Sequence, residues 1–216
     1  MAAILAHHSR MIPAVVLAAG KSTRMGGRTK ALLAVDERDT FVSRIVRTFH
    51  AAGVEEIVVV AGHEAGRLTA AVEAGRLAAR VVLNEAFESG QLSSLLAGLR
   101  AVDRPGVEAI LLTLVDVPMV SARTVQAVLE RYRRTRASIV RPVAGGLHGH
   151  PVLIDRRLFA ALHDADPEVG AKPVVRAHVS DAGDVEIDDP GAFADVDTPA
   201  EYKNLIIGSS GHLVID

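Results

Sequence analysis

Two rhythms alternate along this 216-residue chain. Short, uninterrupted apolar runs give way to longer stretches in which apolar positions recur at helical spacing. Ile12 to Ala18 is apolar and closes at Gly20, the pattern of a buried strand. Thr40 to Ala52 has helical periodicity, with Asp39 placed as its N-cap and Gly53 just past its end. Glu55 to Gly62 reads as a second buried strand, Glu64 to Leu77 as a helix and Ala79 to Leu83 as a third strand. A helix over Leu92 to Val102 begins near serines, and Val107 to Asp116 is the longest buried strand, ending in an acid. Ser121 caps a helix running through Arg134. Ala137 to Ala144 is a fifth strand, and "HPVLIDRRLF" a shorter sixth that turns into a helix over Asp155 to Leu162.

Several of these strands are apolar at every position rather than at alternate ones, as expected when both faces of a sheet are covered. The alternation therefore predicts an α/β fold: a three-layer, mainly parallel twisted sheet with helices on both faces, Rossmann-like in architecture. No repeat or low-complexity linker divides the chain, so one domain is expected over residues 1–206, with a loosely held Gly-Ser-punctuated tail over 207–216. Ligands of such sheets bind at the carboxyl ends of the strands, near a topological switch point.

The first such end is unusual. "VVLAAGKSTRMGGRTK" (Val15 to Lys30) runs from an apolar strand into a loop with Gly20, Gly26 and Gly27, four cations (Lys21, Arg24, Arg28 and Lys30) and no acid. Glycines let the backbone turn tightly and approach a ligand, and successive N–H groups can form an anion nest. A polyphosphate suits all of these features; a solvated turn with ordinary surface cations explains them less well. The loop is not a P-loop: Gly20 to Gly26 is one residue too long and no Lys-Ser/Thr follows. The Rossmann G-x-G-x-x-G is absent too.

Composition narrows the alternatives. Net charge is −2 and aromatics are 3% with no Trp, so a nucleic-acid-coating or base-stacking role is not expected. There is no cysteine, which removes disulfides, thiolate nucleophiles and Cys-based metal sites. No apolar run reaches the length of a membrane span, and MAAILAHHSR lacks the basic start and long apolar centre of a signal peptide. A cytoplasmic protein is the expectation.

"LAAGKSTRMGGRTK" resembles the L-x-x-G-x-x-x-R-M-x…K signature that opens nucleotidyltransferases of glycosyltransferase-A-like fold. Within these it is most similar to the molybdenum cofactor cytidylyltransferase and guanylyltransferase group. "GQLSSLLAGL", "LVDVPMV", "HGHPVLI" and "ADVDTPAEY" resemble later segments of that family in order, so the likeness spans Ala14 to Tyr202. The resemblance implies that Leu17, Ala18, Ala19, Gly20, Lys21, Arg24, Gly26 and Lys30 wrap a nucleotide triphosphate, with Arg24 and Lys30 as its phosphate-binding cations. It implies that Asp116 and Asp197 hold Mg²⁺, that Ser94 contacts the base, and that His150 faces the acceptor. The reaction implied is nucleotidyl transfer from CTP or GTP to a phosphate-bearing acceptor, most closely molybdopterin, for a recipient molybdoenzyme.

The residues themselves leave alternatives at several of these positions. An acid directly after "ILLTLV" is poorly explained by solubility, and Ser121 is better placed than Asp116 to cap the next helix. Asp197 precedes Thr198-Pro199, a helix start, so it could simply lie beside a positive helix end. A capping role also suits Ser94, and His63, at another strand end, suits a plain lining of the cleft. His148 and His150 would share a face on an extended strand, but a zinc site needs further ligands and no Cys is available. Val115 stands where relatives often have Gly, which bears on the shape of the pocket. Ala19, where guanylyl-transferring relatives tend to carry Gly, suggests a pocket sized for a pyrimidine. Rival readings are guanylyl transfer, a sugar-phosphate-type acceptor, and a non-catalytic nucleotide- or cofactor-binding delivery protein.

Overall fold

The computed structural model describes residues 11–209; the first ten residues and 210–216, which include most of the expected tail, lie outside them. The strands are β1 (Ala14–Ala18), β2 (Ile57–Ala61), β3 (Arg80–Leu83), β4 (Ala109–Leu114), β5 (Ile139–Ala144), β6 (Leu147–His148), β7 (Val152–Asp155) and β8 (Asp184–Glu186). The helices are α1 (Phe41–Ala51), α2 (Ala65–Ala74), α3 (Gln91–Val102), α4 (Ala122–Thr135), α5 (Phe159–His163), α6 (Lys172–His178) and α7 (Pro199–Ser209).

All eight strands form one mixed sheet in the order β3-β2-β1-β4-β7-β5-β6, with β8 on β5. The first four strands are parallel, as the apolar runs predict. The second half differs: β7 enters antiparallel to β4, and β5 antiparallel to β7. β5 and β6 turn back on each other at Gly145-Gly146, and a tight turn permits antiparallel pairing without a crossover helix.

Strand geometry sends successive side chains to opposite faces, and the chain fills both. Val16, Val59 and Leu111 enter one core with α1, α2 and α4, while Val15, Val58 and Ile110 enter the other with α3, α5 and α6. α3 lies close on the sheet because of Gly98. A Cβ there would come 2.3 Å from Val15 Cγ1.

Two helix termini differ from expectation. Thr40, not Asp39, caps α1: the Ser43 N–H donates to Thr40 Oγ1 and the Thr40 N–H donates to Ser43 Oγ, a reciprocal capping box. Asp39 instead accepts from Ser43 Oγ and from Arg44 Nε, both at 3.0 Å. α7 keeps Ile206 buried and runs through Ser209, so the helix continues three residues into the expected 207–216 tail. Ser121 caps α4 as read, accepting from the Thr124 N–H.

Candidate active site

The sheet has its switch point at β1, with β2 on one side and β4 on the other. A cleft of about 350 Å³ opens there, at the carboxyl ends of the parallel strands. Leu17, Ala18 and Ala19 leave β1 to form its floor, and Gly20 faces open space with no atom within 4 Å of where a Cβ would stand.

The loop beyond is anchored at both ends. Met25 is buried, and Gly26 and Gly27 turn the chain at φ of +66° and +79°, a region that favours glycine. The Lys30 N–H then donates to Ser22 Oγ at 3.2 Å, and the Thr29 hydroxyl donates to Glu64 at the start of α2. These bonds fold Lys30 inward, leaving it 9% exposed.

Its ammonium meets two carboxylates. Lys30 Nζ lies 3.5 Å from Asp116 Oδ2 and donates to Asp197 Oδ1, although Lys30 and Asp197 are 167 residues apart. Arg24 reaches Asp197 Oδ2 at 2.7 Å from the outside. A backbone bond brings the distant arm in: the Val196 N–H donates to the Asp116 carbonyl at 2.8 Å. The helix-start reading of Asp197 is answered by division of labour. Glu201 accepts from the N–H groups of Asp197 and Thr198, and the Glu201 N–H donates to Thr198 Oγ1. Those partners start α7 and leave the Asp197 carboxylate to the cleft.

The two acids differ electrostatically. Burial pushes the Asp116 carboxyl above the usual carboxylate range, with Lys30 only partly opposing it. The Lys30 hydrogen bond holds Asp197 below that range, against a smaller cost of burial. Asp116 Oδ1 is buried without a hydrogen-bond partner. A buried carboxylate oxygen left unpaired beside a second carboxylate fits a hard divalent cation, which takes oxygen ligands.

Ser94 lines the cleft, 5% exposed, and accepts from Asn84 Nδ2 at 3.0 Å. The Asn84 amide also donates to Ser93 Oγ, and its Oδ1 accepts from the Ala86 N–H. Asn84 went unread in the sequence, but the signal was there: like Asp116, it is a polar residue immediately after an apolar strand. The Thr29–Glu64 bond had no such signal, since it joins residues on separate elements.

Lys21, Gly26, His63, His148 and His150 lie apart from the cleft wall. Lys21 pairs with Glu88 and stands 5.9 Å over the Phe87 ring, and Gly26 faces solvent at the loop's outer turn. His63 packs against Phe87. His150 is inside, its Nδ1 3.4 Å from the Leu112 carbonyl, and burial lowers its pKa. His148 is exposed on β6. Among the described residues, no group of three or more His, Cys, Asp or Glu side chains gathers as a metal cluster, so His148 and His150 have no further ligands for zinc. Val115 is buried in the cleft lining, its N–H donating to the Leu17 carbonyl at 3.0 Å. Among the described residues no helix is long and apolar enough to cross a membrane.

Known proteins share this fold. A nucleotidyl transferase from Methanothermobacter superposes with a TM-score of 0.76 at 26% identity, over 92% of this chain and 97% of that one. The Rv0371C protein of Mycobacterium tuberculosis H37Rv, solved as a complex with manganese, superposes at 0.72 with 26% identity, over 92% of this chain and 99% of that one. The bifunctional protein GlmU of Anaeromyxobacter sp. (strain K) is 34% identical over 131 residues, 59% of this chain but 26% of its own length. The profile of the MobA-like NTP transferase domain matches residues 14–182, from the first residue of β1 past α6. With the glycine loop, its Lys30 and the acid ending β4 all inside that span, the chain belongs to the MobA-like NTP transferase family.

Proposed function

We propose that this chain transfers CMP from CTP to a phosphate oxygen of an acceptor, releasing pyrophosphate, and that the acceptor is molybdopterin carrying its metal. The observation that carries the reading is the convergence of Arg24, Lys30, Asp116 and Asp197 at the mouth of an acid-free glycine loop. Two carboxylates there can hold a divalent cation against the phosphates, which supports transfer over binding alone.

The loop backbone at Leu17 to Gly20, with Arg24 and Lys30, holds the triphosphate. An acceptor phosphate oxygen attacks the α-phosphorus, the bond to the bridging oxygen breaks, and pyrophosphate leaves with that electron pair. The chain supplies no nucleophile; it contributes position and charge. Lys30 is preplaced where negative charge grows, which favours the transition state over the bound substrate. Asp116 and Asp197 would hold Mg²⁺, which when bound neutralises phosphate oxygens and orients them. Because Ser94 Oγ already accepts from Asn84, its own proton is left to donate to the cytosine carbonyl. His150 is on the acceptor side, and a recipient molybdoenzyme takes the dinucleotide product.

Pyrophosphate release measured with each nucleoside triphosphate, molybdopterin and Mg²⁺ tests the reading. CTP with molybdopterin should give the highest kcat/KM. A preference for GTP would replace the base assignment, and tight CTP binding with no pyrophosphate under any acceptor would favour a delivery protein.

A further inference from the structure

The glycine loop from Gly20 to Lys30 contains no acid, so its carboxylate partners come from elsewhere in the chain. One is Glu64, where β2 passes into α2. Gly62 leaves no room for a side chain there: a Cβ would come 2.5 Å from Phe87 Cβ and 2.8 Å from the Ala19 carbonyl oxygen. The His63 N–H donates to that same carbonyl at 3.1 Å, which presses the entry to α2 against the floor of the cleft. Glu64 follows with φ of +53°, a left-handed conformation that a residue with a Cβ disfavours. Its carboxylate does not cap α2 in return. It accepts instead from the Thr29 hydroxyl on one oxygen and from Arg67 at 2.7 Å on the other. The Thr29 hydroxyl is the largest influence holding the Glu64 carboxyl below its ordinary range. Thr29 is itself buried and precedes the short turn Lys30–Leu32, which the Leu32 N–H closes on the Thr29 carbonyl at 2.9 Å. Thr29 lines the nucleotide cleft, and Glu64 does not.

We infer that Glu64 is a positioning residue for Lys30: through Thr29 it fixes the turn that aims the ammonium into the cleft before a nucleotide arrives. The inference rests on the nucleotidyl-transfer reading above. A loop with three glycines loses much freedom on ordering, and its four cations repel one another. A carboxylate that accepts from a hydroxyl is a strong, directional anchor for it. Glu64 supplies that anchor from behind the cleft wall, away from where a triphosphate would lie, and Arg67 occupies its second oxygen. Thr29 and Lys30 are adjacent, so movement at the hydroxyl moves the ammonium. A misplacement of about 1 Å can cost about 10²-fold in rate. The left-handed backbone at Glu64 fits this role, since such strain persists where the surroundings over-determine a residue and pre-organise a site.

Glu64→Ala, Glu64→Gln, Lys30→Ala and the Glu64→Ala, Lys30→Ala double variant test it. They are compared by pyrophosphate release with CTP, molybdopterin and Mg²⁺, by CTP calorimetry and by amide hydrogen exchange. Glu64→Ala should lower kcat about 10-fold with CTP affinity within about 2-fold, the split expected when a charge is misplaced in the transition state. In the free protein, exchange over residues 22–32 should quicken about 10-fold or more. Gln keeps an oxygen for the Thr29 hydroxyl, so Glu64→Gln should recover kcat to within about 3-fold of wild type. In the Lys30→Ala background, Glu64→Ala should cost less than about 2-fold, because the group it positions is gone. Unchanged kcat or exchange in Glu64→Ala, equal losses from Ala and Gln, or an undiminished loss in the Lys30→Ala background overturns the inference while leaving nucleotidyl transfer standing. Quickened exchange in Glu64→Ala, with no pyrophosphate from the wild type with CTP or GTP, overturns the nucleotidyl-transfer reading and the role of Lys30 with it.

Discussion

Two aspartates sit toward opposite ends of the sheet, Asp116 just past the carboxyl end of β4 and Asp155 paired with Ala109 where β4 begins. Both are largely out of water, yet their pKa values move in opposite directions. Burial alone would push Asp155 up, but hydrogen bonds from Arg157 and Tyr132 outweigh it and hold the carboxyl below its usual range. Its oxygens accept from Tyr132 Oη at 2.8 Å, the Arg157 N–H at 2.8 Å and Arg157 Nε at 2.9 Å. Asp116 has Lys30 at 3.5 Å and one oxygen with no partner. Burial alone therefore does not set the direction in which a carboxyl shifts; the completeness of its hydrogen bonding does.

The largest effect expected from this contrast is on Asp116→Asn. Turnover should fall about 10³-fold in a steady-state assay, as for loss of a group that organises charge in a transition state. Stability should move the other way. The folded pKa of Asp116 lies above its ordinary 3.8, so this group favours the fold below pH 3.8 and that contribution is lost as pH rises through the folded value. At neutral pH the amide variant should melt no lower than wild type; a lower Tm with retained turnover would make Asp116 a structural acid like Asp155.

Lys30→Ala should cost about 10²-fold in kcat with a smaller loss of CTP affinity, because the charge it meets is greatest in the transition state. Equal losses in calorimetric affinity and kcat would assign it to ground-state binding.

Asp155→Asn should spare kcat and destabilise the fold by about 2 kcal/mol at pH 7, the cost of unpairing charged hydrogen bonds. Here the folded pKa is depressed, so the contribution is present above 3.8 and lost as pH falls through the folded value. The gap between variant and wild type in urea titrations should close with acidification in that window. A gap that is constant with pH would break the comparison.

The smallest effect concerns the base. Ala19 is 5% exposed in the cleft floor, and its methyl should disfavour a purine. A methyl-sized difference is worth about 1–3 kcal/mol, so CTP should lead GTP by roughly 10- to 200-fold, and Ala19→Gly should narrow that ratio of kcat/KM values. An unchanged ratio removes Ala19 as the cause.

What could be read from sequence follows from how local each signal is. β1, β2 and β4 announce themselves because burial on both faces writes an unbroken apolar run, and Asp116 stands out because such a run ends in it. Lys30 and Asp197 could be named from motif order, but not their contact, which depends on a backbone bond between Val196 and Asp116. α6 and β8 were missed because seven and three residues are too few to show a period. The antiparallel entry of β7 was invisible for a different reason: a strand covered on both faces has the same composition whichever way it points.

The Val196–Asp116 bond also sets an order of events during synthesis. Domains fold from the N-terminal side as they emerge, and the parallel strands with Lys30 and Asp116 are complete long before Val196 is made. A nascent chain can therefore own a finished glycine loop and a buried sheet while its second carboxylate is still in the ribosome. On the proposed reading, a nucleotide in such a half-built cleft would meet one acid instead of two. Turnover on that reading needs both acids, so it should appear only once the last arm has closed and mark the end of folding rather than its onset.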